Sequence, residues 1–257
     1  MSEPETAIFL ELNLWDDVDN FDKEQESDSR REVRRTLRLE QQFTQSDSGS
    51  VVWDCGRVLF DFFKRHQHDF RGKFVLELGS GTGICGLGFL ALCGGHMILT
   101  DQEFQLPLMK RNLERNMDML VTATTAATSF SSVDIYPLKW DEEKDIQNIL
   151  AVSNGELDLI IASDCVYGNS CHEDLVQLLL RLLERNRNAV FILSYENRPR
   201  SKNEIELNRN FTSEFFETLR NGNNKTGYLD VVRIPSEELG EMQCDEISLW
   251  TARTNIR

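Results

Sequence analysis

The stretch Phe74–Gly86, FVLELGSGTGICG, is a short apolar run that passes straight into a turn with glycines at 79, 81, 83 and 86. A run of this length without polar alternation suits a strand buried on both faces. Glycines directly behind it let the backbone turn sharply and approach a ligand where a Cβ would clash. Working outward, six similar runs follow: MILTD (97–101), VDIYPLKW (133–140), LDLIIASD (157–164), AVFILSYE (189–196), YLDVVRI (228–234) and EISLWTAR (246–253). Helical stretches fill most of the gaps. This alternation predicts an α/β fold, a doubly wound and mostly parallel seven-stranded sheet with helices on both faces. The last two strands are separated only by polar residues after a helix around Glu204–Arg220, so they are expected to close as an antiparallel hairpin at the sheet edge.

Upstream, Val51–His66 places Val52, Cys55, Leu59, Phe62 and Phe63 at helical spacing and predicts an amphipathic helix packed on the sheet. Thr36–Phe43, TLRLEQQF, alternates like a short half-buried strand. Asp16–Arg35 is a charge run with little to bury, so residues 1–35 are expected to be an acidic flexible arm and residues 36–257 a single domain.

A chain of 257 residues with 40% hydrophobic residues can build one such core. No segment approaches the roughly 20 apolar residues of a membrane helix, and the acidic start MSEPETAIFLELNLWDD lacks the basic flank of a signal peptide. A soluble intracellular protein is expected. The six cysteines are scattered without CxxC pairs, and neither Cys165, Cys171 and His172 nor His66 and His68 make a recognisable ligand set, so no metal is expected. A net charge of −15 disfavours a nucleic-acid backbone as partner. It either steers a basic partner or serves solubility.

In open α/β sheets ligands bind beyond the carboxyl ends of the strands, where strand order reverses, so the loop after the first strand is the place to look. Its residues fit two ligands. Gly81, Gly83 and Gly86 spell GxGxxG, the dinucleotide fingerprint, with Asp101 about 20 residues on as a ribose acid. Glu77, just ahead of the turn, would oppose a pyrophosphate but can hold an ammonium group, as S-adenosylmethionine requires. Asp101 suits the ribose of either cofactor, and it can also cap the helix that follows.

The order VWD, ELGSGTG, TD, LKW, SDCVY resembles the Rossmann-like, seven-β-strand class I S-adenosylmethionine-dependent methyltransferases and, within them, the methyltransferase-like group of non-histone protein lysine methyltransferases. The resemblance covers about Thr36–Arg253. It rests on the glycine turn for the superfamily and on DxxY, Asp164 to Tyr167, for the group. It implies that Trp53 flanks the cofactor, that Glu77, Gly79, Ser80 and Gly81 line its amino-acid portion, that Asp101 holds the ribose, and that Trp140 and Ser163 lie near the adenine. SYENR, Ser194–Arg198, resembles the group's fifth-strand end at the substrate entrance. As plain sequence, Trp53 and Trp140 also suit core aromatics.

Methyl transfer needs an aligned, neutral amine and the exclusion of water. Asp164 is the candidate to orient a lysine ammonium and help remove its proton, with Tyr167 beside the methyl group. The alternative is that Asp164 caps the next helix and Tyr167 packs on it. The expected activity is therefore methylation of a lysine side chain in a protein substrate by a cytoplasmic monomer, with the nucleus as a second compartment and no membrane or nucleic-acid partner. Methylation of arginine, histidine or a small molecule remains open on the same fold, as does a non-catalytic or NAD-binding domain.

Overall fold

The computed structural model describes residues 8–14, 36–43, 49–122, 130–166, 172–196, 213–223, 225–239 and 246–255. Its main body is a seven-stranded sheet built from β3 (Phe74–Leu78), β4 (Gly95–Asp101), β5 (Phe130–Pro137), β6 (Leu159–Ser163), β7 (Val190–Glu196), β8 (Leu229–Arg233) and β9 (Ile247–Thr254). The spatial order is β5-β4-β3-β6-β7-β9-β8. β3 pairs in parallel with β4 and β6, β4 with β5, and β6 with β7, whereas β9 pairs antiparallel with both β7 and β8. The expected sheet and its closing hairpin are therefore present, with β9 inserted between β7 and β8. From β3 the chain winds outward through β4 and β5, then returns to lay β6 on the other side of β3. That reversal opens a crevice at the carboxyl ends of β3, β4 and β6.

Side-chain alternation along each strand divides the core into two layers. On β3, Val75 packs with α1 (Asp54–Arg65), α3 (Ile84–Cys93) and α4 (Leu106–Thr122), while Leu76 and Leu78 face α5 (Glu143–Ser153), α6 (His172–Arg185) and α7 (213–221). By the same period Glu77 points toward α3, into the interior. Every residue of α3 is buried, which follows from its uninterrupted apolar sequence ICGLGFLALC. A short helix, α2 (Gln67–Phe70), connects α1 to β3. Among the described residues no helix is long and apolar enough to cross a membrane.

Three expectations need correction. Residues 8–14 do not belong to a flexible arm: β1 (Ile8–Asn13) pairs antiparallel with β2 (Thr36–Gln41) in a two-stranded ribbon. Leu10, Leu12 and Leu14 turn inward on alternate positions, and Leu14 is fully buried. Residues 15–35 lie outside the described part. β5 stops at Pro137 rather than running to Trp140: after the last ladder bond, from the Leu138 amide to the Asp101 carbonyl at 2.8 Å, the Lys139 amide turns to the Asp145 carboxylate at 3.0 Å and the Glu142 amide closes a turn on the Lys139 carbonyl at 3.0 Å. The helix expected from Val51 starts at Asp54, with Val51 in a bend and Trp53 extended before it.

α4 fastens the ribbon by imitating a neighbouring strand. Asn112 Oδ1 accepts the Glu40 amide at 2.7 Å and Asn112 Nδ2 donates to the Glu40 carbonyl at 3.0 Å. One helical turn on, Asn116 repeats the pair with the amide and carbonyl of Arg38 at 2.9 and 2.8 Å. Beside them the Glu40 carboxylate, 8% exposed, binds Arg111 at 2.9 Å and Arg115 at 3.3 Å. The Arg111 hydrogen bonds hold the Glu40 carboxyl below its ordinary value.

Candidate active site

At the reversal point lies a cleft of about 530 Å³. The turn after β3 forms its floor and is pinned to the end of β4. Ser80 N donates to the Thr100 carbonyl at 2.9 Å, Thr100 N returns a bond to Ser80 Oγ at 3.1 Å, and Thr100 Oγ1 donates to the Glu77 carbonyl at 2.6 Å. Gly81 has φ +53°, and a Cβ there would stand 2.6 Å from the Gly49 carbonyl oxygen. Only glycine lets segment 49–51 lie across the turn. Gly86 is needed for a different reason: a Cβ would meet Leu99 at 2.2 Å and the Glu77 carboxylate at 2.6 Å.

All but one of the expected site residues converge on this cleft. Trp53, Glu77, Gly79, Ser80 and Gly81 line one part of it, and Asp101, Trp140, Ser163 and Asp164 line the rest. Tyr167 lies outside the described residues, as do Asn197 and Arg198 of the SYENR segment. Trp53 is 39% exposed, so it is no core aromatic. Trp140 reaches the cleft because it has left the strand.

Asp101 accepts the Gly81 amide at 2.8 Å through one oxygen and the Gln102 amide at 2.7 Å through the other. It makes no helix cap: the following turn, Glu103–Gln105, begins from Gln102 without a side-chain cap. Its carboxylate lines the cleft and is by type an acceptor for hydroxyl donors. Asp164 has φ +56°, the left-handed conformation that aspartate tolerates better than most residues. Its amide donates to the Ser194 carbonyl at 2.9 Å, and the Cys55 thiol approaches its Oδ1 at 3.7 Å. The described part of α6 begins at His172, and residues 167–171, which separate it from Asp164, lie outside the described residues.

Glu77 differs from its sequence reading. It is 1% exposed. Burial pushes its carboxyl up to about 8, against the opposing effect of hydrogen bonds from Ser80, the Gly86 amide at 3.0 Å and Cys85. At neutral pH the carboxyl is thus mainly protonated. The cleft thiols behave alike: burial first, and neighbouring carboxylates next, raise Cys85 and Cys165, so neither is a thiolate nucleophile.

Among the described residues the lining carries the carboxylates of Asp101, Asp141, Asp164 and Asp174, beside the mainly protonated Glu77, against the cation of Lys139, which Asp141 engages at 3.0 Å. That balance suits a cationic ligand and opposes a pyrophosphate. The sequence reading missed Phe104, 63% exposed at the cleft, and the acids Asp141 and Asp174. Phe104 was findable, since it lies three residues past the end of a strand whose carboxyl end faces the ligand. Asp174, on a helix after an intervening loop, left no local signal.

A family profile described as lysine methyltransferase matches residues 32–221. The chain is 31% identical over 154 residues to the protein N-lysine methyltransferase METTL21A of Mus musculus, covering 60% of this chain and 64% of that protein. It is 32% identical over 130 residues to the EEF1A lysine methyltransferase 3 of Xenopus tropicalis, covering 50% of each. The match thus spans less than two thirds of either relative. A putative SAM-dependent methyltransferase from Streptococcus mutans shares the fold with a TM-score of 0.51 at 17% identity, over 85% of this chain and 53% of that one.

Proposed function

Because this chain belongs to the lysine methyltransferase family, we propose that it methylates a lysine side chain of a non-histone protein, with S-adenosylmethionine as methyl donor. The observation that carries the reading is the meeting of Glu77, Asp101 and Asp164 in one acidic cleft at the strand-order reversal. Their chemistry fits the cofactor's groups: an ionised Glu77 holds an ammonium and Asp101 accepts ribose hydroxyls, while Trp53 and Trp140 shield the site from water. Gly79, Ser80 and Gly81 bring bare backbone to the amino-acid portion, and Ser163 is small enough to leave room for the adenine. When bound, the cofactor supplies an electrophilic methyl group on a sulfonium.

The chain's own task is then to present a neutral amine. A lysine with a reference pKa near 10.4 enters protonated. The Asp164 carboxylate orients the ammonium and assists loss of its proton, so the nitrogen lone pair faces the methyl group. Tyr167, three residues on, accepts a hydrogen bond from the amine. The same reading makes the protein a cytoplasmic monomer, with the nucleus as a second compartment, acting on proteins rather than nucleic acid. Its 43 acidic against 28 basic residues repel a phosphodiester backbone.

The test is labelled S-adenosylmethionine added with a cell extract, followed by identification of the labelled residue. Methyl-lysine is expected. Asp164→Asn should retain cofactor binding and lose transfer by at least about 100-fold. Label on arginine or histidine, or full activity in Asp164→Asn, overturns the reading.

A further inference from the structure

We propose that Asn112, buried in α4 and outside the cleft lining, is a positioning residue that sets the shape of the cofactor cleft by joining the glycine turn to the N-terminal ribbon. The inference rests on the cofactor reading above. Asn112 is fully buried and its amide is fully engaged. Besides the two bonds to the backbone of Glu40, its Nδ2 donates to the Thr82 carbonyl at 3.0 Å, inside the turn that lines the cleft. A primary amide combines two donors and an acceptor in one plane; aspartate lacks the donors and leucine lacks both.

β2 carries that connection to the other side of the cleft. Gln41 Oε1 accepts the Val52 amide at 2.8 Å, and the Gln42 amide donates to the Ser50 carbonyl at 2.9 Å. Ser50 Oγ donates in turn to Gln105 Oε1 at 3.2 Å. These bonds hold Gly49, Val51 and Trp53 over the turn, and all three line the cleft. The Gly49 carbonyl lies against Gly81, so a shift of the ribbon changes the space above the glycine turn. Asn112 thus fixes the floor through Thr82 and the roof through β2.

Asn116 provides an internal control. It also makes three side-chain hydrogen bonds and is also buried, but its third bond goes to the Asn112 carbonyl, within α4, at 2.7 Å. Replacing either residue with alanine removes the same number of bonds and should lower the melting temperature by similar amounts. Only one replacement releases the glycine turn.

The experiment measures S-adenosylmethionine affinity by calorimetry and steady-state kinetics in the full chain, for the parent, Asn112→Ala, Asn116→Ala and Gln41→Met. Asn112→Ala should weaken binding about tenfold, roughly 1.4 kcal/mol. The loss should fall on the KM for the cofactor, with kcat at saturation changed by no more than about twofold. Asn116→Ala should stay within about twofold of the parent in affinity. Gln41→Met cuts the Val52 joint and should weaken binding several-fold. Equal affinity losses in the two asparagine variants, or parental affinity in Asn112→Ala, overturn the proposal. If Asn112→Ala does not fold, parental affinity in Gln41→Met overturns it. Failure of the parent itself to bind S-adenosylmethionine overturns the cofactor reading, and the positioning role with it.

Discussion

Replacing Glu77 with glutamine should flatten the pH dependence of stability without emptying the cleft of hydrogen bonds. The folded side chain holds its proton to about pH 8, whereas the unfolded one releases it near its ordinary value of 4.5. Between those values the folded chain binds more protons. The contribution to stability is therefore fully present below 4.5, declines as pH rises, and is gone above about 8. Between pH 6 and pH 8 this one group accounts for about 2 kcal/mol of lost stability. For a chain of this size that is a fall of about 5 °C in melting temperature. Glutamine keeps the shape and an acceptor for the Gly86 amide but cannot ionise, so its melting temperature should vary little over the same range on this account. Saturating S-adenosylmethionine should flatten the parent's dependence too, because a cation beside Glu77 favours the carboxylate. Proton release then appears as a binding enthalpy that depends on the buffer. Thermal melts of both proteins, with and without cofactor, decide the matter. Parallel melting curves for parent and Glu77→Gln from pH 6 to pH 8 would refute the assignment of the raised pKa to Glu77.

Asp101→Ala should leave the fold intact and weaken S-adenosylmethionine binding about tenfold or more, since the amides of Gly81 and Gln102 lose their acceptor and the proposed ribose contact goes with it; calorimetry reads this directly. Gly86→Ala forces a Cβ against Leu99 and Glu77 and should cost about 1–3 kcal/mol in denaturant unfolding. Glu40→Gln deprives Arg111 and Arg115 of their shared carboxylate and should cost about 2 kcal/mol near neutral pH. Because the folded pKa of Glu40 is lowered, that cost should shrink as the pH falls below 4.5, where the unfolded chain takes up its proton first, and vanish once the folded carboxyl is protonated too.

The ribbon shows where reading by local pattern stops. IFLELN alternates well enough to be a strand, but nothing local to it pairs it with the strand read at Thr36–Phe43. What makes them a strand is β2, and what holds β2 is a pair of asparagines more than 70 residues away along the chain. Trp140 is a second case: an apolar run predicted it in a strand, whereas the Lys139 amide bonds the Asp145 carboxylate of α5 and a turn closes from Glu142 onto Lys139, and Trp140 lines the cleft.

By itself the sequence determined the sheet, its hairpin, the glycine turn, and the carboxylates that close β4 and follow β6, because strand period, apolar runs and turn chemistry are properties of neighbouring residues. The tertiary structure alone decided that Glu77 is buried with its carboxyl pushed up to about 8, that Asp101 holds the amides of Gly81 and Gln102, and that Asn112 bonds both the glycine turn and β2. Those facts depend on burial and on partners brought together from distant parts of the chain, and the free energy of a charge or an amide is set by that assembled surrounding.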